Sequence, residues 1–158
     1  MNVLIVDDHP RVRQGLRQIL AESGRVARIG EAENGAGALL RLHEGGWDVV
    51  LLDISLPDRN GIEVLAQIGR EHPRIPVLML SMHDEALYAL RALRAGAAGY
   101  LIKQSVPAEL MAAIRQVGEG RRYLTPVLAE AMARHPEAND IASPFRKALP
   151  ACNIRSCS

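Results

Sequence analysis

The stretch VVLLD, residues 49–53, constrains the fold more than any other part of the chain. Four apolar residues with no polar alternation run straight into an aspartate, and Ile54 follows at once. A strand with one wet face alternates apolar and polar side chains, whereas a strand covered on both faces reads as an unbroken apolar run. Doubly covered strands belong to parallel sheets flanked by helices, so this segment points to a layered α/β domain. It also poses a problem. An unpaired charge at the end of a buried strand is costly. Asp53 therefore either caps the next element or is held there to react.

The flanking sequence repeats the theme. Residues 2–6 (NVLIV), 75–81 (IPVLMLS) and 98–103 (AGYLIK) read as strands, and 25–32 (RVARIGEA) as a more polar one. Helical patterns separate them. One starts at Pro10 and places Val12, Leu16, Ile19 and Leu20 on one face. Others cover 35–45, 61–72 (with Ile62, Leu65 and Ile68 aligned), 84–96 and 107–120. Strand and helix alternate five times, which predicts a parallel sheet with helices on both faces and right-handed crossovers. A last helix is expected within 123–135, with Thr125 as its cap and Pro126 in its first turn. Beyond His135 no periodicity lasts, and three prolines intervene. The expected organisation is a folded domain over 1–121, a short linker helix over 122–135 and a disordered tail over 136–158.

Composition narrows the function. A net charge of +1 advertises no nucleic acid or anionic membrane as a partner. Aromatics at 3% are too sparse for a base-stacking surface. No run approaches the ~20 apolar residues of a membrane span, and the N-terminus lacks a signal-peptide pattern. A cytoplasmic location is the default. Cys152 and Cys157 have no partners for a zinc site or a disulfide framework and read as incidental.

In an open parallel sheet the site lies outside the carboxyl ends of the strands. Those ends supply Asp7 and Asp8, then Asp53, then Ser81, then Lys103. Each has an ordinary structural reading: Asp8 or Ser81 as a helix cap, Asp53 as a turn residue, Lys103 as a solvated charge. Together they are harder to dismiss. Two unit charges 4 Å apart repel by about 4 kcal/mol at an effective dielectric of 20. Three clustered carboxylates thus call for a cation, and hard oxygen ligands suit magnesium. A carboxylate can also attack phosphorus to give an aspartyl phosphate, with a metal and Lys103 neutralising the oxygens.

With these residues on the page, LIVDDHP, VVLLDISLPDRNG, VLMLSMHDE and AGAAGYLIK resemble a response-regulator receiver domain of two-component signalling. DDHP and LSMHDE are similar to the NarL/FixJ-type transcription regulators. The resemblance spans residues 2 to about 120. It implies a flavodoxin-like, doubly wound (βα)5 fold with a five-stranded parallel sheet in the order 2-1-3-4-5. It implies Asp53 as phosphoacceptor for a sensor histidine kinase. Magnesium would be held by Asp8, Asp53 and the Ser55 backbone carbonyl, with Asp7 acting through water. It further implies Ser81 and Tyr100 as switch residues, Tyr100 turning inward on phosphorylation, and Lys103 as a phosphoryl contact. Ser55 and His83, two positions beyond Asp53 and Ser81, would tune the lifetime of the phosphoryl group. The turn after Asp53 is expected to leave its carboxylate facing solvent, metal and donor. Where receivers often have a cis proline after the lysine, this chain has Gln104, so the loop there is expected to be set differently.

NarL/FixJ-type regulators continue into a helix-turn-helix domain, and residues 136–158 carry no recognition-helix pattern. DNA would be reached through an output domain absent from this sequence. A chain cut before that domain, a stand-alone receiver acting by protein contact or by dimerisation on phosphorylation, and a shifted reading frame all fit. A haloacid-dehalogenase-type phosphatase would have an acid/base aspartate two residues after the nucleophile, where Ser55 stands. A dinucleotide-binding enzyme would have a glycine fingerprint after the first strand, where DDHP stands.

Overall fold

The computed structural model describes residues 1–82, 86–104 and 107–134. Strands and helices alternate: β1 (Asn2–Val6), α1 (Pro10–Ser23), β2 (Arg28–Ala32), α2 (Gly35–Glu44), β3 (Val49–Asp53), α3 (Gly61–Glu71), β4 (Val77–Ser81), α4 (Ala86–Arg94), β5 (Gly99–Ile102), α5 (Pro107–Gly118) and α6 (Pro126–Arg134). The five strands form one parallel sheet in the order β2-β1-β3-β4-β5. Parallel strands are what the alternation predicts, and their order is the one the family resemblance implies.

The period of two along each strand divides the apolar run into two cores. Val49 and Leu51 face α1 and α5, packing with Leu16, Leu20, Ile114 and Val117. Val50 and Leu52 face the other way, among Ala38, Leu42, Val64, Ile68 and Leu93 of α2, α3 and α4. All five residues of β3 and of β4 are buried, so the central strands have no solvated face.

Element ends differ from the sequence pattern in places with clear causes. β2 starts at Arg28, not Arg25, because it is an edge strand paired on one side by β1, and Asn2 pairs with Arg28. β4 starts at Val77, after Pro76, which has no N–H for a ladder; its carbonyl still accepts from Val50 N at 3.0 Å. The expected start of α4, at 84, falls outside the described residues. So do the expected tail, 136–158, and both cysteines.

The chain after α5 stays on the domain. Tyr123 N donates to Ala98 O at 2.9 Å, and Tyr123 forms a parallel bridge with Gly99. Thr125 Oγ1 accepts from Leu128 N at 3.2 Å at the start of α6. Leu128 is buried in the core that holds Leu90 and Leu93, so α6 lies against α4. No helix among the described residues is long and apolar enough to cross a membrane.

Candidate functional site

Ladder hydrogen bonds carry the reactive side chains to one edge of the sheet. Asp7 N donates to Ala32 O at 3.0 Å, one residue past β1. Lys103 N donates to Ser81 O at 2.8 Å, one residue past β5. Asp53 and Ser81 are themselves the last residues of β3 and β4. The sheet thus fixes the backbone from which each side chain projects.

The centre is a buried lysine between two carboxylates. Lys103 Nζ lies 2.8 Å from Asp7 Oδ2 and 3.1 Å from Asp53 Oδ2. The lysine side chain is 4% exposed, and Asp7 and Asp53 are 0% and 1% exposed. A solvated charge at 103 and a freely hydrated turn residue at 53 are thereby excluded. The other Asp53 oxygen, Oδ1, accepts from Ser55 N at 3.1 Å. Asp7 Oδ1 accepts from His9 N at 2.8 Å, and His9 Nδ1 sits 3.1 Å from Asp7 Oδ1 and 3.0 Å from Asp8 Oδ1. Arg13 of α1 donates from Nη1 to Asp7 O at 2.6 Å and from Nε to Glu31 Oε1 at 3.0 Å.

Burial dominates the electrostatics. It pushes the Asp53 carboxyl above its ordinary value of 3.8, and the charge on Asp7 adds to this. The Ser55 N–H and Lys103 pull the other way without winning. For Lys103, burial alone favours the neutral amine. The close contacts with the Asp7 and Asp53 carboxylates outweigh it and hold the ammonium above its ordinary value.

Three acidic oxygens remain poorly served: Asp7 Oδ2, Asp8 Oδ1 and Asp53 Oδ2 are buried without an aligned hydrogen bond. Their near neighbours are ion-pair contacts to Lys103 and His9, whose geometry falls short of hydrogen bonding. Asp7, Asp8, His9 and Asp53 each offer one atom within 4.8 Å of the others. One ammonium thus faces three carboxylates, an arrangement short of positive charge and rich in hard oxygen donors. These residues fit a magnesium ion.

Above Asp53 lies a pocket of about 310 Å³ lined by Asp53, Ser55, Ser81 and Lys103, with Asn60 and Ile62 on one side and Met82, Tyr88 and Arg91 on the other. Two expectations need correction. The Asp53 carboxylate does not face solvent: Lys103 lies across it, and Gly61 packs against its backbone. A Cβ at Gly61 would overlap Asp53 O and come within 2.7 Å of Ile54 Cα. Tyr100 does not await an inward turn: it is already inside, 5% exposed in the core with Leu90 and Leu93. The Lys103–Gln104 bond is trans. His83 lies outside the described residues.

The sequence pattern did not single out His9, Arg13 or Asp58. His9 was visible only as part of DDHP. Arg13 reaches the site from a helix, by a contact that spacing does not encode. Asp58 accepts from Gly35 N at 2.9 Å and Ala36 N at 3.1 Å, so the loop after the phosphoacceptor candidate caps α2 across 23 residues.

Comparison with known proteins identifies the family. Residues 3–115 match the model for the response regulator receiver domain. The chain is 39% identical over 146 residues to the response regulator UvrY of Escherichia coli K12, covering 92% of this chain and 67% of that protein. A LuxR-family two-component response regulator from Aurantimonas sp. SI85-9A1 superposes with a TM-score of 0.78 at 35% identity, covering 86% of this chain and 97% of that one. The isolated receiver of RcsB from Salmonella enterica serovar Typhimurium, with the phosphomimetic BeF3−, gives a TM-score of 0.75 at 27% identity, covering 83% and 97%. The chain belongs to the response regulator receiver domain family, whose members are signalling components of two-component systems.

Proposed function

We propose that Asp53 accepts a phosphoryl group from a sensor histidine kinase and that the domain switches conformation in response. The observation that carries this reading is the Asp53 carboxylate itself. It is fixed at the end of a buried strand, with Oδ1 tied to Ser55 N and Oδ2 turned to Lys103 beside a cluster short of positive charge. An Asp53 oxygen attacks phosphorus, the bond to the donor breaks, and the phosphoryl group ends on Asp53. The Lys103 ammonium exchanges a carboxylate contact for a phosphoryl oxygen. The Ser81 hydroxyl donates to another. Asp8, Asp53 and the Ser55 backbone carbonyl would hold magnesium, with Asp7 acting through water; when bound, the ion would supply charge neutralisation at the transferring oxygens. Ser55 and His83 govern the access of hydrolytic water.

The chain is a phosphoacceptor and catalyses only its own phosphorylation and dephosphorylation. Its output is transcription control, through a homodimer formed on phosphorylation and a DNA-binding domain beyond these residues, in the cytoplasm. Tyr100 and α4 carry the change, since both share the core that holds Leu128 of α6. Intact-mass spectrometry after treatment with a small phosphodonor and magnesium tests the reading. One phosphoryl group is expected on the wild type and none on Asp53→Asn. Labelling of the variant at the wild-type rate would remove Asp53 from its role.

A further inference from the structure

The pocket above Asp53 has an outer wall that the phosphoacceptor reading leaves unused. Tyr88 and Arg91, one helical turn apart on α4, line the same cavity as Asp53 and Lys103. Arg91 is exposed, and among the described residues its guanidinium meets no carboxylate. Some other arginines are paired, Arg13 and Arg17 with Glu31, Arg41 with Glu44 and Arg134 with Glu130, but what sets Arg91 apart is that it alone among the described arginines lines this pocket. An uncommitted cation at the mouth of an anionic pocket is placed to meet an anion in transit.

We infer that Arg91 receives the departing carboxylate when the phosphoryl donor is a small acyl phosphate, a role that rests on Asp53 being the phosphoacceptor. In phosphoryl transfer the attacking and leaving atoms lie roughly in line through phosphorus. With the nucleophile on the floor, the leaving group points out toward α4. The step balances without a proton. The Asp53 O–P bond forms, the acyl O–P bond breaks with its electron pair, and a carboxylate anion leaves. A guanidinium matches a carboxylate in charge and in its paired hydrogen bonds. A phosphoramidate behaves differently: its P–N bond breaks and neutral ammonia departs, leaving Arg91 nothing to stabilise. Arg91 thus sets preference between donor classes. The cavity, about 310 Å³ with Ile62 and Met82 on its rim, sits at the small end of ligand pockets and suits a short acyl group.

The test compares two donors on the full chain with magnesium present, following phosphorylation of Asp53 by intact mass. Arg91→Gln should slow labelling by acetyl phosphate about fivefold, the scale of one exposed charge pair, and leave labelling by phosphoramidate within about twofold. Arg91→Lys should restore most of the lost rate, and added salt should pull the wild-type acetyl phosphate rate toward that of the variant. Equal slowing with both donors, or no change with either, would overturn the assignment. Wild-type chain labelled by neither donor would instead overturn the phosphoacceptor reading, and this one with it.

Discussion

Replacing Asp53 by asparagine should make the metal-free domain more stable. At the 4.8 Å limit of the acidic cluster, each of Asp7 and Asp8 repels the Asp53 charge by about 3.5 kcal/mol at an effective dielectric of 20. Lys103 at 3.1 Å returns about 5 kcal/mol on the same scale. The balance, about 2 kcal/mol, opposes ionised Asp53 before desolvation is added, and the charge-assisted bond from Ser55 N offsets part of it. Asparagine keeps an acceptor for Ser55 N and presents an amide toward Asp7, at some cost against Lys103. A net gain of about 1–2 kcal/mol at pH 7 follows, or roughly 3–8 °C in Tm for a domain of this size. The pH dependence has a definite sign. The raised carboxyl value of Asp53 means that its contribution is favourable below the ordinary 3.8 and is lost as pH rises through the native value. The advantage of the variant should therefore be small near pH 4 and grow toward pH 7. Urea unfolding with a chelator present, followed by the emission of Trp47, measures it; Trp47 is 5% exposed and its ring sits in the core. Magnesium should raise the wild-type midpoint and narrow the gap, because a ligand stabilises the state it binds. A variant less stable than wild type at pH 7 without metal, or a gap that does not widen with pH, would refute this account of the cluster.

Asp8→Ala should weaken magnesium binding more than Asp7→Ala, since Asp7 is already engaged by Lys103 while Asp8 is a third exposed; calorimetric titration compares the two. Gly61→Ala should cost about 1–3 kcal/mol through the overlap with Asp53 O and slow labelling of Asp53, whereas Gly69→Ala, with open space at its Cβ, should gain about 0.4–1 kcal/mol; paired denaturation curves decide. Asp58 is held below its ordinary value by the Gly35 and Ala36 N–H groups, so its contribution is present above pH 3.8 and fades as pH falls through the lowered native value. Hydrogen-exchange protection at the first turn of α2, taken relative to the intrinsic rate at each pH, should fall over that acid range in wild type and be low throughout in Asp58→Ala.

What could be read from the sequence depended on whether the cause was local. VVLLD declared its doubly buried strand because each of its residues answers to the same environment. Lys103 and Ser81 were findable because strand ends converge wherever the sheet is parallel. Asp8 was offered as a helix cap, but the N-cap of α1 is His9, with no side-chain bond to the helix. The start of β2 was overextended because Val26 packs on the core without joining the ladder. Tyr100 is legible as an aromatic beside the switch but not as an inward one, since its burial depends on a core shared with Leu90 and Leu93 of α4. Arg13 and Asp58 act over 6 and 23 residues on backbone atoms, where no side-chain motif is required of the partner.

The bridge between Tyr123 and Gly99 bears on where this domain can be cut. β5 is an edge strand, and an uncovered edge is a template for pairing with another molecule. Here Tyr123 covers it: a Cβ on Gly99 would stand 2.9 Å from Tyr123 O, so the glycine lets the later segment lie flat against the strand. Leu128, beyond it, closes the apolar flank of α4. A fragment trimmed to the family-matched residues 3–115 would bare both at once. Such a fragment should keep the chemistry of Asp53 and gain a tendency to self-associate through β5. A fragment ending after α6 should stay monodisperse under the same conditions.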